Sequence, residues 1–346
     1  MTDPSPTHPP HQLSPSGQLL EMLAGSFMTS AIAVAAKLGI SDLLSSGPKA
    51  AVELASVTRV HAQSLYRVLR YLASIGIYAE TEDGKFTLTP IAECLRSDSE
   101  NSLRDWAAMR GEEWVTKPHA ELLHAVRTGR PAFDHVFGMN AFEYLGKNPQ
   151  ASKAFDAAMR CLTAQTSRAI LDAYDFSEFA KVADIAGGNG TFLIDLLKEY
   201  PAIRGLLADL PHVVEGGRKA VEAAGLADRC ECYPCDFFEA MPAGASAYIF
   251  KHIVHDWDDE RSIAILKNCR DAIPVDGKLL LIEFVIPEGN EPSVAKLEDI
   301  EMLVMTPGGR ERTEKEFREL FKAAGFELSR AVPAASIEFV IEGVPA

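Results

Sequence analysis

A histidine follows a predicted buried strand, at a place where it could act as a base. The segment Lys251–Trp257 comes directly after an apolar run, well beyond the glycine-rich turn Asp184–Gly190. The carboxyl ends of neighbouring strands in a doubly wound sheet converge on one crevice, so the two segments can meet over one ligand. A neutral imidazole with a pKa of about 6.5 can accept a proton from a hydroxyl. His255 and His252, three positions earlier, are both candidates for this base, and their spacing at a strand exit leads us to expect that they aim at different places.

The turn contains three glycines, Gly187, Gly188 and Gly190, between a predicted strand and a helix. Glycines in such a turn let a ligand approach the backbone closely. The third glycine of a dinucleotide fingerprint would fall at Leu193, so the turn does not favour NAD or FAD.

Acidic residues follow the next two predicted strands. Asp209 ends the second strand, where a carboxylate can accept hydrogen bonds from both ribose hydroxyls. Asp236 and Phe237 follow the third strand, where the acid could accept an adenine amino proton while the ring packs on the base. Either acid alone is more often a helix cap or a solvated loop residue, but their joint spacing predicts an adenosine site.

The pattern along the chain predicts the elements that position these groups. Residues 1–16 have several prolines and few large apolar side chains, which is typical of a disordered tail. Residues 17–100 read as helices followed by a hairpin, a winged helix, and residues 101–180 as a helical connector that walls the pocket. Residues 181–346 alternate strands and helices, which predicts a parallel sheet, and a closing pair of strands suggests an antiparallel edge.

Charge argues against a nucleic-acid partner. The net charge is −15, whereas phosphate binding needs a basic patch. The helix best placed to enter a groove carries only Arg67 and Arg70, and the predicted wing holds Glu80, Glu82 and Asp83. We therefore expect the winged helix to serve in dimer packing.

Apolar patterning and cysteine content bear on location and metals. The apolar helices from Leu19 to Ala36 exceed what a small domain needs to cover its core, which favours a dimer interface. No apolar run is expected to reach the about 18 residues that span a bilayer, so we expect a cytoplasmic protein without a membrane partner. Cys230, Cys232 and Cys235 lack a fourth ligand, and strand alternation is expected to separate Cys232 from its neighbours. We expect free thiols and no metal.

As a set, the motifs resemble those of the S-adenosylmethionine-dependent O-methyltransferases of the plant caffeate type and their bacterial natural-product relatives. The matching segments are Asp184–Gly190, Asp209–Val213, Asp236–Phe238, Lys251–Trp257, Asp258–Glu260 and Pro307–Thr313. The resemblance implies an α/β fold, with a Rossmann-like class I methyltransferase domain (residues 181–346) and a mostly helical N-terminal winged-helix dimerisation domain. It also implies a homodimer.

The resemblance assigns S-adenosylmethionine as the cofactor. The glycine turn would hold its methionine part, and the acids after the next two strands its ribose and adenine. The implied cofactor-binding residues are Asp184, Gly187, Gly188, Gly190, Asp209, Leu210, Asp236, Phe237 and Lys251. Ala186 stands where the family has the first glycine, and its methyl group is expected to be a small intrusion.

The resemblance selects His255 rather than His252 as the base, and two glutamates match those that flank this histidine in similar enzymes. Glu283 and Glu311 would orient His255 and stabilise the imidazolium as it forms. As alternatives, Glu311 could pair with Arg310 or Arg312, and Glu298 or Glu301 could take its place.

Acceptor-pocket residues are suggested by the same resemblance. They are Phe155, Met159, Met302, Met305 and Thr306. Aromatic and Met residues at helical spacing are also often core residues, so the two interpretations stand equally. The expected function is methyl transfer to a hydroxyl of a small, phenolic aromatic metabolite. The alternatives are an N-methyltransferase, a relative that uses the cofactor without methylating, and a ligand-sensing winged-helix DNA-binding regulator.

Overall fold

The computed structural model of the protein describes residues 14–335 and 337–346. The chain divides into two compact units at the boundary between residues 112 and 113, within the segment 101–180 expected as a connector. Most of the expected tail, residues 1–16, lies outside the described residues. At its end, the Ser14 hydroxyl accepts a hydrogen bond from the Gly17 N–H and caps the first helix.

The first unit has seven helices and three short strands among its described residues. The helices are α1 (Pro15–Leu23), α2 (Gly25–Lys37), α3 (Ile40–Leu44), α4 (Ala51–Thr58), α5 (Ala62–Ser74), α6 (Pro90–Glu93) and α7 (Arg104–Met109). The strands are β1 (Lys49–Ala50), β2 (Tyr78–Glu80) and β3 (Lys85–Leu88), in the order β1-β3-β2. The predicted hairpin is present, since β2 and β3 pair antiparallel and Gly84 takes a φ of 74° in their turn. Strand β1 was not predicted.

The first two helices correct the expectation that no apolar run is long enough to cross a membrane. Pro15–Lys37 has 23 residues and a mean hydropathy of 1.6, which suffices by length and composition. Only 17% of its most apolar stretch is buried. Side chains such as Leu20 and Phe27 are 68% and 73% exposed. This segment therefore presents a long apolar face on its own unit.

The second unit is a seven-stranded sheet flanked by helices. Its strands are β4 (Lys181–Ile185), β5 (Arg204–Asp209), β6 (Cys230–Pro234), β7 (Ala247–Lys251), β8 (Lys278–Glu283), β9 (Phe326–Pro333) and β10 (Phe339–Pro345). Its helices are α8 (Glu113–Ala120), α9 (Leu122–Thr128), α10 (Ala132–Phe137), α11 (Ala141–Lys147), α12 (Pro149–Ala173), α13 (Thr191–Glu199), α14 (Pro211–Ala223), α15 (Asp259–Ala272), α16 (Val294–Met305) and α17 (Glu314–Ala323).

The strand order places the candidate motifs at one edge of the sheet. The order is β6-β5-β4-β7-β8-β10-β9; β4 to β8 pair in parallel, whereas β10 pairs antiparallel with β8 and β9. The predicted antiparallel edge is confirmed. The strands are apolar and buried along most of their length because helices cover both faces of the sheet. The carboxyl ends of β4, β5, β7 and β8 therefore open on a common crevice.

The cysteines of β6 correct one detail of the sequence interpretation. Cys230 and Cys232 both contact the core cluster that contains Leu193 and Leu197, whereas Cys235 belongs to the cluster on the other face. Residues two apart on a strand share a face, so Cys232 is separated from Cys235 but not from Cys230. All six cysteines of the chain are free thiols.

Candidate active site

The glycine turn after β4 forms a tight cradle. A Cβ atom added at Gly187 would lie 2.5 Å from Asp184 Oδ2 and 2.6 Å from Leu207 Cδ1, so only glycine fits there. Gly188 and Gly190 have φ angles of 59° and 71°, and no atom lies within 4 Å of a Cβ built on Gly188. The turn thus combines a constrained backbone with open space above Gly188. This shape fits the close approach of an extended cofactor chain.

The methyl group of Ala186 was expected to intrude slightly on the cofactor, but the structure shows an effect on the backbone instead. The φ of Ala186 is 55°, in the left-handed region that favours glycine. Its N–H donates to the carbonyl of Ala208 at 2.7 Å, which holds the turn against β5. The effect of replacing glycine by alanine here is backbone strain of about 1–2 kcal/mol.

Asp209 closes the turn from the neighbouring strand. Its Oδ2 accepts a hydrogen bond from the Gly188 N–H at 2.8 Å and its Oδ1 from the Leu210 N–H at 2.7 Å. Burial raises the pKa of Asp209, and these two hydrogen bonds oppose the rise. A carboxylate oxygen accepts more than one hydrogen bond, so Asp209 can still receive ribose hydroxyls.

Asp236 and Phe237 lie beyond the end of β6. Asp236 is exposed, and its Oδ1 accepts a hydrogen bond from the Phe238 N–H at 2.9 Å. The Phe237 ring contacts the Trp257 ring edge to face, with centroids 6.2 Å apart. The adenine-binding role expected of this pair stays a prediction.

His255 stands on a short helical turn, Val254–Asp256, directly after β7. Its Nδ1 lies 2.7 Å from Glu311 Oε1 and 3.6 Å from Glu283 Oε2, and its side chain is 10% exposed. In the neutral form of the ring, hydrogen bonding of Nδ1–H to Glu311 leaves Nε2 as the proton acceptor. The structure therefore brings together the three residues that the sequence predicted as catalytic.

The charges around His255 determine its basicity. Burial lowers the pKa of His255, but the carboxylates of Glu283, Glu311 and Asp256 outweigh it and raise the pKa to about 10. Burial raises the pKa of Glu283, against the attraction of His255. The imidazole is thus a stronger base than an ordinary histidine, and the conjugate acid is comparable to a phenol.

Backbone contacts hold this cluster in place. Glu283 Oε1 accepts hydrogen bonds from the N–H groups of Ile253 and Val254 at 3.0 and 2.8 Å, which fixes the turn that carries His255. The Glu311 N–H donates to Asp299 Oδ1 at 3.0 Å. His255, Glu283 and Glu311 are also residue types that bind metals, and their ligand atoms lie within 4.8 Å of one another. Because Nδ1 of His255 is hydrogen-bonded to Glu311 at 2.7 Å, we interpret the cluster as a proton-transfer group.

Sequence reasoning missed the role of Arg312. This fully buried guanidinium donates to the carbonyls of Val254 and Trp257 at 3.1 and 2.9 Å, on either side of His255, and to Asp259 Oδ1 at 2.8 Å. Arg312 lies next to Glu311 in the sequence, so the segment that supplies Glu311 also stabilises the turn that carries His255. The position of Arg312 next to Glu311 in the sequence could have indicated a structural role, but it suggested an ion pair between these two residues.

The alternatives weighed for Glu311 have other contacts. Arg310 pairs with Glu316 and Asp259, and Glu301 Oε2 lies 2.8 Å from His119 Nε2. Glu311 therefore faces His255 rather than either arginine.

His252 lies beside a different glutamate from His255. It takes a φ of 54°, and its Nε2 lies 3.4 Å from Glu338 Oε1. Burial and the neighbouring Lys251 lower the pKa of His252 to about 3, so its ring is neutral. This agrees with the expectation that the two histidines point to different places.

The residues expected in the acceptor pocket lie on α12 and α16 or just after them. Phe155 and Met159 are partly buried on α12, and Phe155 contacts Trp114 edge to face at 6.4 Å. Met302 and Met305 are buried on α16, and the Thr306 hydroxyl donates to the Met302 carbonyl. Burial is the main cause of the raised pKa of Asp209, and Asp156, beside Phe155, adds a minor rise. Contact with an acceptor stays a prediction.

Comparison with known proteins identifies the family of the chain. A family model described as the O-methyltransferase domain matches residues 119–327, and one described as the O-methyltransferase dimerisation domain matches residues 20–98. The chain is 47% identical over 330 residues to the phenazine O-methyltransferase PhzM of Lysobacter antibioticus, covering 95% of this chain and 96% of the relative.

Solved structures show the same likeness. The crystal structure of LaPhzM has a TM-score of 0.92 at 46% identity and covers 96% of this chain and 100% of the other. That of NcsB1 from neocarzinostatin biosynthesis, in complex with S-adenosylmethionine and 2-hydroxy-5-methyl naphthoic acid, has a TM-score of 0.80 at 32% identity, with 94% and 98% covered. With both domain families matched along most of its length, the chain belongs to the O-methyltransferase family.

Proposed function

We propose that the protein methylates a hydroxyl group on a small aromatic metabolite, with His255 as the general base. The contact of 2.7 Å between His255 Nδ1 and Glu311 Oε1 carries the proposal, because it fixes the tautomer that a base needs. One similar protein is named a phenazine O-methyltransferase, and another, NcsB1, was solved in complex with 2-hydroxy-5-methyl naphthoic acid. A planar hydroxylated ring is therefore the acceptor class that we propose.

S-adenosylmethionine, the cofactor of the family, supplies a methyl group on a sulfonium that is already activated for displacement. The protein holds it through the turn Gly187–Gly190, with Asp209 for the ribose and Asp236 and Phe237 for the adenine. Lys251, at the end of β7, faces the same crevice. Catalysis then depends on orienting the acceptor oxygen and removing its proton.

His255 removes that proton at Nε2. A phenol has a pKa of about 10, close to that of His255, so the transfer is nearly balanced in free energy. Glu283 and Glu311 stabilise the imidazolium that results. A phenolate that binds beside protonated His255 gives the same pair as a phenol that transfers its proton to neutral His255, because the two pairs contain equal numbers of protons.

The strong base favours oxygen over nitrogen as the acceptor. A neutral aromatic amine attacks through its lone pair and needs no proton removed beforehand, whereas a phenol gains greatly from ionisation. We therefore rank N-methylation second to O-methylation as the function of the protein. A function that uses the cofactor without methyl transfer ranks third.

A binding and transfer experiment tests the proposal. Calorimetry with S-adenosylhomocysteine should show binding, and a labelled methyl donor should transfer label to hydroxylated phenazines, naphthoates or benzoates. Matched aromatic amines serve as the comparison set. Absence of cofactor binding would refute the proposal, and label on amines alone would replace the oxygen acceptor by nitrogen.

We propose further that the protein is a cytoplasmic homodimer joined through its first unit. The exposed apolar face of α1 and α2, with Leu20 and Phe27, lies in the segment matched by the dimerisation domain. Light scattering on a sizing column should give twice the chain mass. The double variant Leu20→Glu/Phe27→Glu should shift the protein to the monomer. A wild-type monomer, or vesicle binding through this face, would refute the dimer.

The acidic net charge of the protein opposes a DNA-binding role, and a gel shift at low salt tests that alternative.

A further inference from the structure

A second buried charge cluster lies beside the catalytic one. Lys251 and Glu338 have side chains only 8% and 1% exposed, and Lys251 Nζ lies 3.7 Å from Glu338 Oε1. The same Glu338 oxygen lies 3.4 Å from His252 Nε2. Glu338 directly precedes β10 and thus belongs to the antiparallel edge of the sheet, far along the chain from Lys251.

Carboxylates from three parts of the sheet act electrostatically on Lys251. They are Glu338 at the start of β10, Glu283 at the end of β8 and Asp184 near the end of β4. Burial lowers the pKa of Lys251, and these three acids oppose that effect, Glu338 first among them. In turn, burial and Asp209 raise the pKa of Asp184 to about 7, while Lys251 opposes the rise. The ammonium is therefore coupled electrostatically both to the cofactor cradle and to the carboxylate that supports His255.

A buried amine without an ion partner tends to lose its proton, since desolvation penalises the charged form. Of the three acids, Glu283 is already engaged with two backbone N–H groups and His255. Asp184 lies within the cofactor cradle. Glu338 is the acid whose carboxylate lies beside both Lys251 and its neighbour His252, and His252 is neutral because burial and Lys251 lower its pKa to about 3.

We infer that Glu338 is a positioning residue for cofactor binding, which keeps Lys251 protonated and fixed at the carboxyl end of β7. This rests on the proposed function, in which Lys251 reaches the cofactor. His252 has a left-handed backbone, and its Nε2 lies 3.4 Å from the Glu338 oxygen that faces Lys251. The protonated Lys251 offers hydrogen-bond donors to the acceptor groups of the cofactor.

The test is the pH dependence of S-adenosylhomocysteine binding, measured by calorimetry from about pH 6 to about pH 10 on the full-length protein. Wild-type affinity should fall at alkaline pH as Lys251 loses its proton. In Glu338→Gln this fall should begin about one pH unit or more lower, with affinity at about pH 6 within about twofold of wild type. Ionisation of the ligand is common to all variants and cancels in the comparison.

Two further variants separate charge from packing. Glu338→Asp keeps the charge and should move the profile back toward wild type. Adding Lys251→Met to the wild type and to Glu338→Gln should abolish the difference between their profiles. Coincident profiles for wild type and Glu338→Gln, or equal weakening at every pH, would overturn the inference. Failure of the wild type to bind at any pH would instead overturn the proposed function, and with it this inference.

Discussion

Nδ1 of His255 and Oε1 of Glu311 lie 2.7 Å apart, although the two residues come from different segments on either side of β8. One segment follows β7 and the other follows α16. A hydrogen bond from Arg310 N–H to the His255 carbonyl at 2.8 Å joins the same two segments through the backbone. The orientation of the base is therefore fixed twice, at its ring and at its main chain.

Removing the base tests its role directly. His255→Gln should lower kcat by about two to four decades, the usual loss when a general base is removed. Binding of S-adenosylhomocysteine should be retained, as measured by calorimetry. The exposed His61→Gln is the matched control and should keep full activity. A His255→Gln enzyme with near wild-type kcat would show that another group takes the proton.

The pH profile should reveal the carboxylates that act on His255. The base must be neutral to act, and its pKa is raised, so wild-type kcat/KM should rise with pH along a limb above pH 6.5. Glu311→Gln removes one stabilising charge, which lowers the pKa of His255 and should move the limb about one pH unit or more to lower pH. The plateau rate should fall as well, because the imidazolium is less stabilised. If the limb stays at the same pH in Glu311→Gln, the pH dependence of kcat/KM does not report the ionisation of His255.

Ala186→Gly should stabilise the protein. Relief of the left-handed strain exceeds the extra entropy of glycine in the unfolded chain, so the free energy of unfolding should rise by about 0.5–1 kcal/mol. Thermal unfolding measures this change. Ala183→Gly, in extended and buried β4, is the control and should destabilise by about 1 kcal/mol or more. An Ala186→Gly protein that unfolds more easily would argue against strain at this position.

Gly187→Ala should damage the cofactor cradle. The added methyl group would press on Asp184 and Leu207, which should cost about 1–3 kcal/mol of stability and weaken S-adenosylhomocysteine binding. Calorimetry and thermal unfolding report the two effects. Gly146→Ala on exposed α11, where no atom lies within 4 Å of the new Cβ, should change stability by at most about 1 kcal/mol. Equal behaviour of the two variants would mean that the cradle tolerates a side chain.

Arg312→Lys should loosen the turn that carries His255. Lysine cannot reproduce the forked donors, so the buried carbonyls of Val254 and Trp257 lose hydrogen bonds, at a cost of about 3 kcal/mol. Arg310→Lys, in a more exposed ion pair, should cost under about 1 kcal/mol. Denaturant unfolding compares them. Similar losses for both would contradict a special role for Arg312.

The strand-end rule accounts for what the sequence could predict. His255, Glu283 and Asp209 each stand at or just past the carboxyl end of a strand, so topology alone brings them to one crevice. The separation of His252 from His255 followed from their spacing. Because residues two apart on a strand lie on the same face of the sheet, the sequence also implies that Cys232 and Cys230 share a face.

Other features depend on information that local patterns do not carry. Glu338 reaches Lys251 because the antiparallel register sets Phe339 opposite Glu283, and no motif encodes that register. Arg312 is surrounded by carbonyl groups whose positions depend on the folded turn. The apolar stretch Pro15–Lys37 was underestimated because its length appears only when α1 and α2 are taken together.

The antiparallel pairing of β10 with β8 also affects the order in which a newly made chain can mature. Glu283 lies opposite Phe339, so the strand that carries it gains its second neighbour only once residues 339–345 have left the ribosome. Domains generally fold as units during synthesis. Because the cofactor turn and Glu283 belong to one sheet, a nascent chain halted before β10 should hold neither of them in its final form.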